Sequence, residues 1–542
     1  MLRTYNKIHI MGNGDDTTTE MVFLDEAGQQ QLPEVRVNII HDDNDDGGDL
    51  PPSSLSFRWK TKKYRLWRVP EQVRAINKEE AYAPKFVSVG PYHRRHAGAG
   101  DRNRLCGEKL KKRYLHELLR DVEPDDHKHG GILQRCKSSL QEIVDDIRWF
   151  YAEEEYVREM KDEEMVRMLL HDGCFIIKHL YNFVQGYNEE ELYATRWSPA
   201  QLRIDLGMLE NQIPFFVLEE IFYHLTPRKL QRKITRDVGD DGMMITPQTF
   251  QRKTMMRQRK RHKLLVMAMW YMLKGWFVLP EDESDELYKL IADKEVHHLL
   301  HLLHLAHAHL VNVDDDKGAV LGLRRRDGSA TNQQQQGHDK DDDDAKAKAN
   351  IVSAAQLRGL GVKISKAPTK RGGILDVRLR NGLLSPVLEV PALTVDQGTV
   401  QLLQNLVAYE QQGTPPPSND DEHPRDYFTT YAFLMYNLVS STDDIAVLQE
   451  QGVLLNNFGS HETIIEYFKN LCRGNQRSGT EEKTHIGKVL QGLRDCSQNK
   501  AYRYWAEAKK YMDSPVKILA LIVSTLLAIS TVLQTTVAFY PK

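Results

Sequence analysis

The sequence predicts a mainly α-helical protein: a large helical body with one small β-hairpin, followed by a single C-terminal transmembrane helix. Three observations predict it. Apolar residues recur at helical spacing through most of residues 58–512, as in the stripe Leu110, Tyr114, Leu115, Leu118 and Leu119. Strand-like alternation is concentrated near residues 362–390, with a hairpin expected at 374–390. Residues 516–540 are apolar, and from Ile518 onward the only charge is Lys542.

Residues 1–57 read as a disordered tail, because Asp15-Asp16, Gln29–Gln31 and the DDNDDGGD stretch from Asp42 offer few core-forming side chains. The body opens at Trp67–Pro70. Pro70 suits the first turn of a helix through Val73 and Ile76, where its missing N–H would have no partner anyway. Lys85–Tyr92 reads as an extended segment broken by Gly90-Pro91, and helices are expected at Leu133–Ile147 and Met165–Phe183. Asp205–Leu225 is apolar almost all round beyond Ile213, which places it at the centre of the core, with a new helix starting at Pro214.

Residues 228–263 form a polar, basic insert ending in RQRKRHK, and Leu264–Trp276 reads as a core helix. Ser284–Leu310 is helical, with Ser284 as its N-cap. Residues 313–350 hold Gln333–Gln336 and Asp341–Asp344 and form a low-complexity loop. Asn381-Gly382 then predicts a two-residue hairpin turn, because both positions accept positive φ, and Ser385-Pro386 limits the return strand to an edge. Helices resume at Val400–Glu410, Tyr427–Val439, Asp443–Gln451 and Glu462–Cys472.

A bilayer core about 30 Å thick takes roughly 20 apolar residues in helix, and residues 516–540 meet that length. Ser524, Ser530, Thr531, Thr535 and Thr536 can bond back to the helix's own carbonyls. The alternative is a buried terminal helix of the body; the lack of an amphipathic stripe favours a span and hence a tail anchor. Lys509, Lys510 and Lys517 precede it and Lys542 follows, which puts the body in the cytosol. The N-terminus has no apolar signal-peptide core, no N-x-S/T acceptor occurs, and the five cysteines do not form a disulfide framework. Among membranes, the plasma membrane is the expected one.

A net charge of −3 gives no general attraction to nucleic acid. No P-loop, dinucleotide fingerprint, G-x-S-x-G, H-E-x-x-H or C-x-x-C is present, so no catalytic, cofactor or metal residue is assigned. The nearest thing to a metal motif is His297, His301 and His304 at i, i+4, i+7, with Asp293 one turn before. Weighed against it is a helix whose leucines face the core and whose histidines face solvent. The run Arg257–Lys263 reads first as a solvated loop, otherwise as a phosphate or anionic-lipid contact. Asp341–Asp344 lacks the spaced ligands of a calcium loop.

Several segments, in order, resemble the plant family called domain of unknown function 247: WRVPEQVR from Trp67, VSVGPYH from Val87, DGCFII from Asp172 and DLGMLENQIPFFVL from Asp205. AQLRGLGV from Ala355, LDVRLRNG from Leu375, PALTV from Pro391, NLVAYEQ from Asn405 and LNNFGS from Leu455 continue the series, and the C-terminal span matches too. The resemblance covers roughly residues 64–540 and implies a mainly helical, single-pass membrane protein of largely unassigned biochemistry. Some grass members are tied to pollen self-incompatibility. The inserts at 228–263 and 313–350 depart from the family pattern.

The expected function is therefore a membrane-tethered interaction or recognition protein without catalytic activity, its protein partner unnamed and nucleic acid not expected. The alternative is an enzyme with dispersed acid/base groups, Asp172, Asp205, Glu210 and Glu410. They sit among apolar residues, where desolvation raises a carboxyl pKa.

Overall fold

The computed structural model describes residues 7–11, 20–24, 64–94, 102–122, 129–151, 154–187, 198–227, 247–273, 291, 294–312, 353–368, 373–381, 385–412, 426–475, 484–499, 504 and 515–539. Within the expected disordered tail, β1 (Lys7–Met11) pairs antiparallel with β2 (Glu20–Leu24). The rest of residues 1–57 lies outside the described residues, as do Ser284, Asp293 and the 313–350 loop.

Segment 64–69 runs beside Tyr151 through a parallel bridge at Leu66. Helix α1 (Glu71–Asn77) starts after Pro70, whose carbonyl accepts from Val73 and Arg74 at 3.0 Å each. Then come α2 (Arg102–Val122), α3 (His129–Glu142), α4 (Val144–Phe150), α5 (Glu155–Glu159) and α6 (Asp162–Val184). Helices α7 (Ser198–Leu206) and α8 (Phe215–His224) flank an irregular stretch, and the break falls at Pro214 as expected. Two further helices, α9 (Pro247–Leu273) and α10 (Leu299–Asn312), complete this half. Helix α6 is the axis: α2, α3, α8 and α9 all pack on it.

The second half opens with α11 (Ala354–Gly359), held by a capping box between Ser353 and Gln356. Strands β3 (Lys363–Lys366), β4 (Arg378–Asn381) and β5 (Pro386–Val390) form a sheet in the order β3-β5-β4, parallel between β3 and β5 and antiparallel between β4 and β5. This corrects the expected hairpin in two ways. Strand β5 is central rather than an edge, which Pro386 permits because it is the strand's first residue. Asn381 pairs with Pro386, so residues 382–385 separate the strands and the turn is not a two-residue Asn-Gly turn.

Strand β6 (Leu393–Val395) precedes α12 (Gln397–Glu410), α13 (Tyr427–Leu438) and α14 (Thr442–Glu450). Strand β7 (Leu454–Asn456) returns parallel to β6, a pairing the sequence pattern did not reveal. Helices α15 (His461–Cys472), α16 (His485–Gln498) and α17 (Pro515–Phe539) end the order. Asp396, Ser441, Ser460 and Thr484 each accept a first-turn N–H, and each such cap contributes about 1 kcal/mol. Helix α12 joins the halves by packing against α7 and α10 on one side and α13 and α15 on the other. One continuous apolar core results, in which Phe175, Phe215, Phe222, Phe428 and Phe468 are fully buried, each contributing about 1.5–3 kcal/mol of transfer free energy.

Candidate functional site

The chemistry-bearing residues singled out from sequence gather in the interior, around the irregular stretch between α7 and α8. Asp205, Glu210, Asn211 and Gln212 are all buried there. An unpaired buried amide or carboxylate is costly, so each needs partners. Asn211 accepts from the Val89 amide at 2.7 Å through Oδ1 and donates through Nδ2 to the Val87 and Asp205 carbonyls, both at 2.9 Å. Gln212 donates to the Leu206 and Met208 carbonyls at 2.7 Å and accepts from Leu300 N at 3.2 Å. Asn405 of α12 accepts from Leu209 N at 2.8 Å and donates to the Ala81 carbonyl at 2.9 Å. These amides satisfy the backbone that the helix break exposes.

The four candidate acids have structural tasks. Asp205 accepts from the amides of Lys85, Phe86 and Val87 at 2.6–3.1 Å and from Gln201 at 2.8 Å. Burial pushes its pKa up, against the pull of those four bonds. Glu210 accepts from Val69 N at 2.7 Å and pairs with Arg74; burial raises its pKa too, against the Arg74 charge. Asp172 accepts from Gly90 N and pairs with Lys111. Glu410 accepts from His304 Nε2 at 2.8 Å, from Phe428 N at 2.9 Å and from the amide and hydroxyl of Thr429 at 2.7 and 2.8 Å. The four are distributed over separate partner sets. A cleft of about 10 Å³ lined by Tyr64, Asp146, Trp149, Phe150, Phe216 and His297 contains none of them.

The histidine row is buried, which corrects the expectation of a solvated face: His298, His301, His304 and His307 all lie in the interior. Helix α10 begins only at Leu299, so His297 precedes it. Among the described residues, no group of three or more His, Cys, Asp and Glu is placed to hold a metal. The ring nitrogens are otherwise engaged, His298 with Tyr64 and His304 with Glu410.

The basic run corrects a second expectation. Residues 247–263 are not a loop but the first part of α9, and the helix lies along α8. Arg257 pairs with Glu220, Arg261 Nε donates to Glu219 Oε1 at 2.8 Å, and Lys260 Nζ donates to the Tyr223 carbonyl at 2.7 Å. These three cations of the run serve the contact with α8. Residues 228–246 lie outside the described residues.

Helix α17 is the opposite case. Residues Ile518–Thr536, 19 in number, form a largely apolar stretch, and none is buried. Ser524, Thr531, Thr535 and Thr536 bond their hydroxyls to the helix's own carbonyls at 2.8–2.9 Å, as expected for four of the five residues named from sequence. The roles of Tyr64, Lys111, Asn405 and Gln412 were missed from sequence, because His298, Asp172, Leu209 and Trp67 reach them across long stretches of chain.

Fold and site together define a mainly helical protein with a carboxylate- and amide-pinned interior and one C-terminal helix long and apolar enough to cross a membrane. The chain belongs to the plant family called domain of unknown function 247, described as a plant protein of unknown function, whose family model matches residues 66–530. It is similar to the UPF0481 protein At3g47200 of Arabidopsis thaliana, at 25% identity over 87% of this chain and 86% of that one. It is also similar to the putative UPF0481 protein At3g02645 of Arabidopsis thaliana, at 21% identity over 86% of this chain and 89% of that one. No solved structure matches the chain.

Proposed function

We propose that this chain is a tail-anchored interaction protein of the plasma membrane, with its helical body in the cytosol and recognition rather than catalysis as its task. One observation carries the reading: α17 leaves a largely apolar, uncharged stretch of 19 residues uncovered, whereas the body buries its own apolar surface in one core. Exposed apolar area of that extent needs lipid or protein to cover it, and its length suits a bilayer core of about 30 Å. Lys509, Lys510 and Lys517, ahead of the apolar stretch that begins at Ile518, support the cytosolic placement. The candidate acids are committed to holding backbone, and the basic run is committed to α8, which favours neither acid/base chemistry nor nucleic-acid binding. Pollen self-incompatibility, the role tied to some grass members of the family, is the instance of recognition this reading includes.

Deleting residues 516–542 tests the anchor. The truncated body is expected in the soluble fraction, and sedimentation with membranes in high salt would reject the assignment. A Gly/Ser replacement of residues 313–350, equal in length, tests where recognition lies. It is expected to keep membrane attachment but to weaken cross-linking to the partner that the intact protein captures. Undiminished cross-linking would reduce that segment to a spacer.

A further inference from the structure

Two imidazole lone pairs close the start of α10. The His297 amide donates to Nδ1 of His301, and the His301 amide donates to Nδ1 of His298, each at 3.1 Å. A ring nitrogen that accepts a backbone N–H carries no proton, so each neutral ring keeps its hydrogen on Nε2. His298 therefore donates from Nε2 to the Tyr64 hydroxyl at 2.7 Å, and Tyr64 donates to Gln412 Oε1 at 3.3 Å. Gln412 in turn donates to the Trp67 carbonyl at 2.6 Å. The rings reinforce the path: Tyr64 stacks on His297 with centroids 4.3 Å apart, and His297 on His301 at 4.6 Å. The two Nδ1 acceptors, which a proton can remove, thus close the start of α10, and that start carries the His298 bond and the His297 stack that hold Tyr64.

We propose that the start of α10 is an acid-released latch. A proton on Nδ1 of His298 or His301 turns a capping acceptor into a donor that faces another donor, and the start of α10 opens, drawing the His297 and His298 rings away from Tyr64.

The surroundings offer that proton little compensation. Segment 64–67 presents the neutral Tyr64, and α12 presents Tyr409 together with Glu410, which His304 already engages. Helix α13 presents Tyr427 to His304, α4 brings Asp146 to the cleft beside His297, and α8 contributes Phe216 there. Helix α9 contains no carboxylate; its Arg261 donates to the Lys294 carbonyl at 2.9 Å, just ahead of the latch. On the latch's own segment stand the exposed Lys294 and Glu295, three and two residues ahead of His297, and the buried His304 and His307. Burial accordingly pushes His297 down to about 4, and His298 and His301 well below the ordinary 6.5. The opened form binds protons more tightly, so closure is strongest above about pH 6.5 and weakens as pH falls below it. At pH 5.5, each released imidazole of ordinary pKa favours opening by about tenfold, and the two together by about a hundredfold.

Hydrogen-exchange mass spectrometry on the full chain in detergent tests this, at pH 7.5, 6.5 and 5.5 with exchange times scaled for the intrinsic rate. The useful amides are those at the start of α10: His297 and His301, bonded to the two Nδ1 acceptors at 3.1 Å, and Leu300, bonded to Gln212 Oε1 at 3.2 Å. Their protection is expected to fall by about a hundredfold from pH 7.5 to 5.5, while α16 keeps its own. In the double variant His298→Asn, His301→Asn, side-chain oxygens replace both Nδ1 acceptors and cannot titrate, so the fall is expected to shrink to below about threefold. Protection independent of pH, an equal loss in α16, or an unchanged fall in the double variant would overturn the proposal. If the double variant does not fold, the wild-type comparison between the start of α10 and α16 decides alone.

Discussion

Lys111 Nζ stands 2.8 Å from Asp172 Oδ1, an ion pair between α2 and α6 in which both side chains are buried. The ammonium also donates to the Ser88 carbonyl at 2.5 Å and to Glu108 at 2.6 Å, while the second oxygen of Asp172 accepts from Gly90 N at 2.9 Å. Burial by itself lowers the pKa of such a lysine; Asp172 and Glu108 outweigh it, and the net shift is upward. The pair therefore fastens two helices and the 88–90 loop together.

Removing one partner leaves the other charged and buried. Lys111→Met is expected to cost about 3–5 kcal/mol, and combining it with Asp172→Asn should return part of that loss. Denaturant unfolding of the single and double variants measures it; losses that simply add would mean the two groups do not interact.

Gly90 has φ +69°, and a Cβ there would lie 2.6 Å from the Gln212 carbonyl oxygen. Left-handed backbone alone costs a non-glycine residue roughly 1–2 kcal/mol, and the contact forces the buried amide stretch to move. Gly90→Ala should lower stability by more than about 2 kcal/mol. A smaller loss would show that the loop relaxes without disturbing Gln212.

Phe215 is fully buried as the first residue of α8, and its amide donates to the His297 carbonyl at 2.7 Å. Phe215→Asp would place an unpaired charge in that site, for an expected loss of more than about 4 kcal/mol. An unchanged melting temperature in the purified variant would place Phe215 at the surface.

Burial pushes Glu219 up to about 7, even with Arg261 beside it. Its folded pKa thus lies above the unfolded value near 4.5, so the folded state holds the extra proton between those limits. This group's contribution is greatest below about pH 4.5 and declines as pH rises through 7. Glu219→Gln abolishes that dependence. The melting temperature of the variant relative to wild type is expected to rise between pH 5 and 8; a difference that stays constant would mean Glu219 is ionised throughout.

Much of this architecture is visible along the chain. The helix start after Pro70, the break at Pro214 and the helices near Asp443 and Glu462 depend on residues within a turn or two of one another, so local pattern reveals them. The apolar stretch of α17 is equally local, because length and composition alone set whether a helix can cross a bilayer.

Tertiary structure decided what the polar residues do. Asp205 meets Phe86 across 119 positions, Tyr64 meets His298 across 234, and Asn405 meets Ala81 across 324. Their residue types suit catalysis, metal binding or structural pairing equally, and only the packing brings the partner that selects one. The same holds for Arg257 and Arg261, whose charges suggest a solvated loop until α8 presents Glu219 and Glu220, and for β5, whose central place depends on β3 arriving alongside it. Periodicity encodes which face of an element is apolar, whereas the identity of the group across that face is a property of the folded chain.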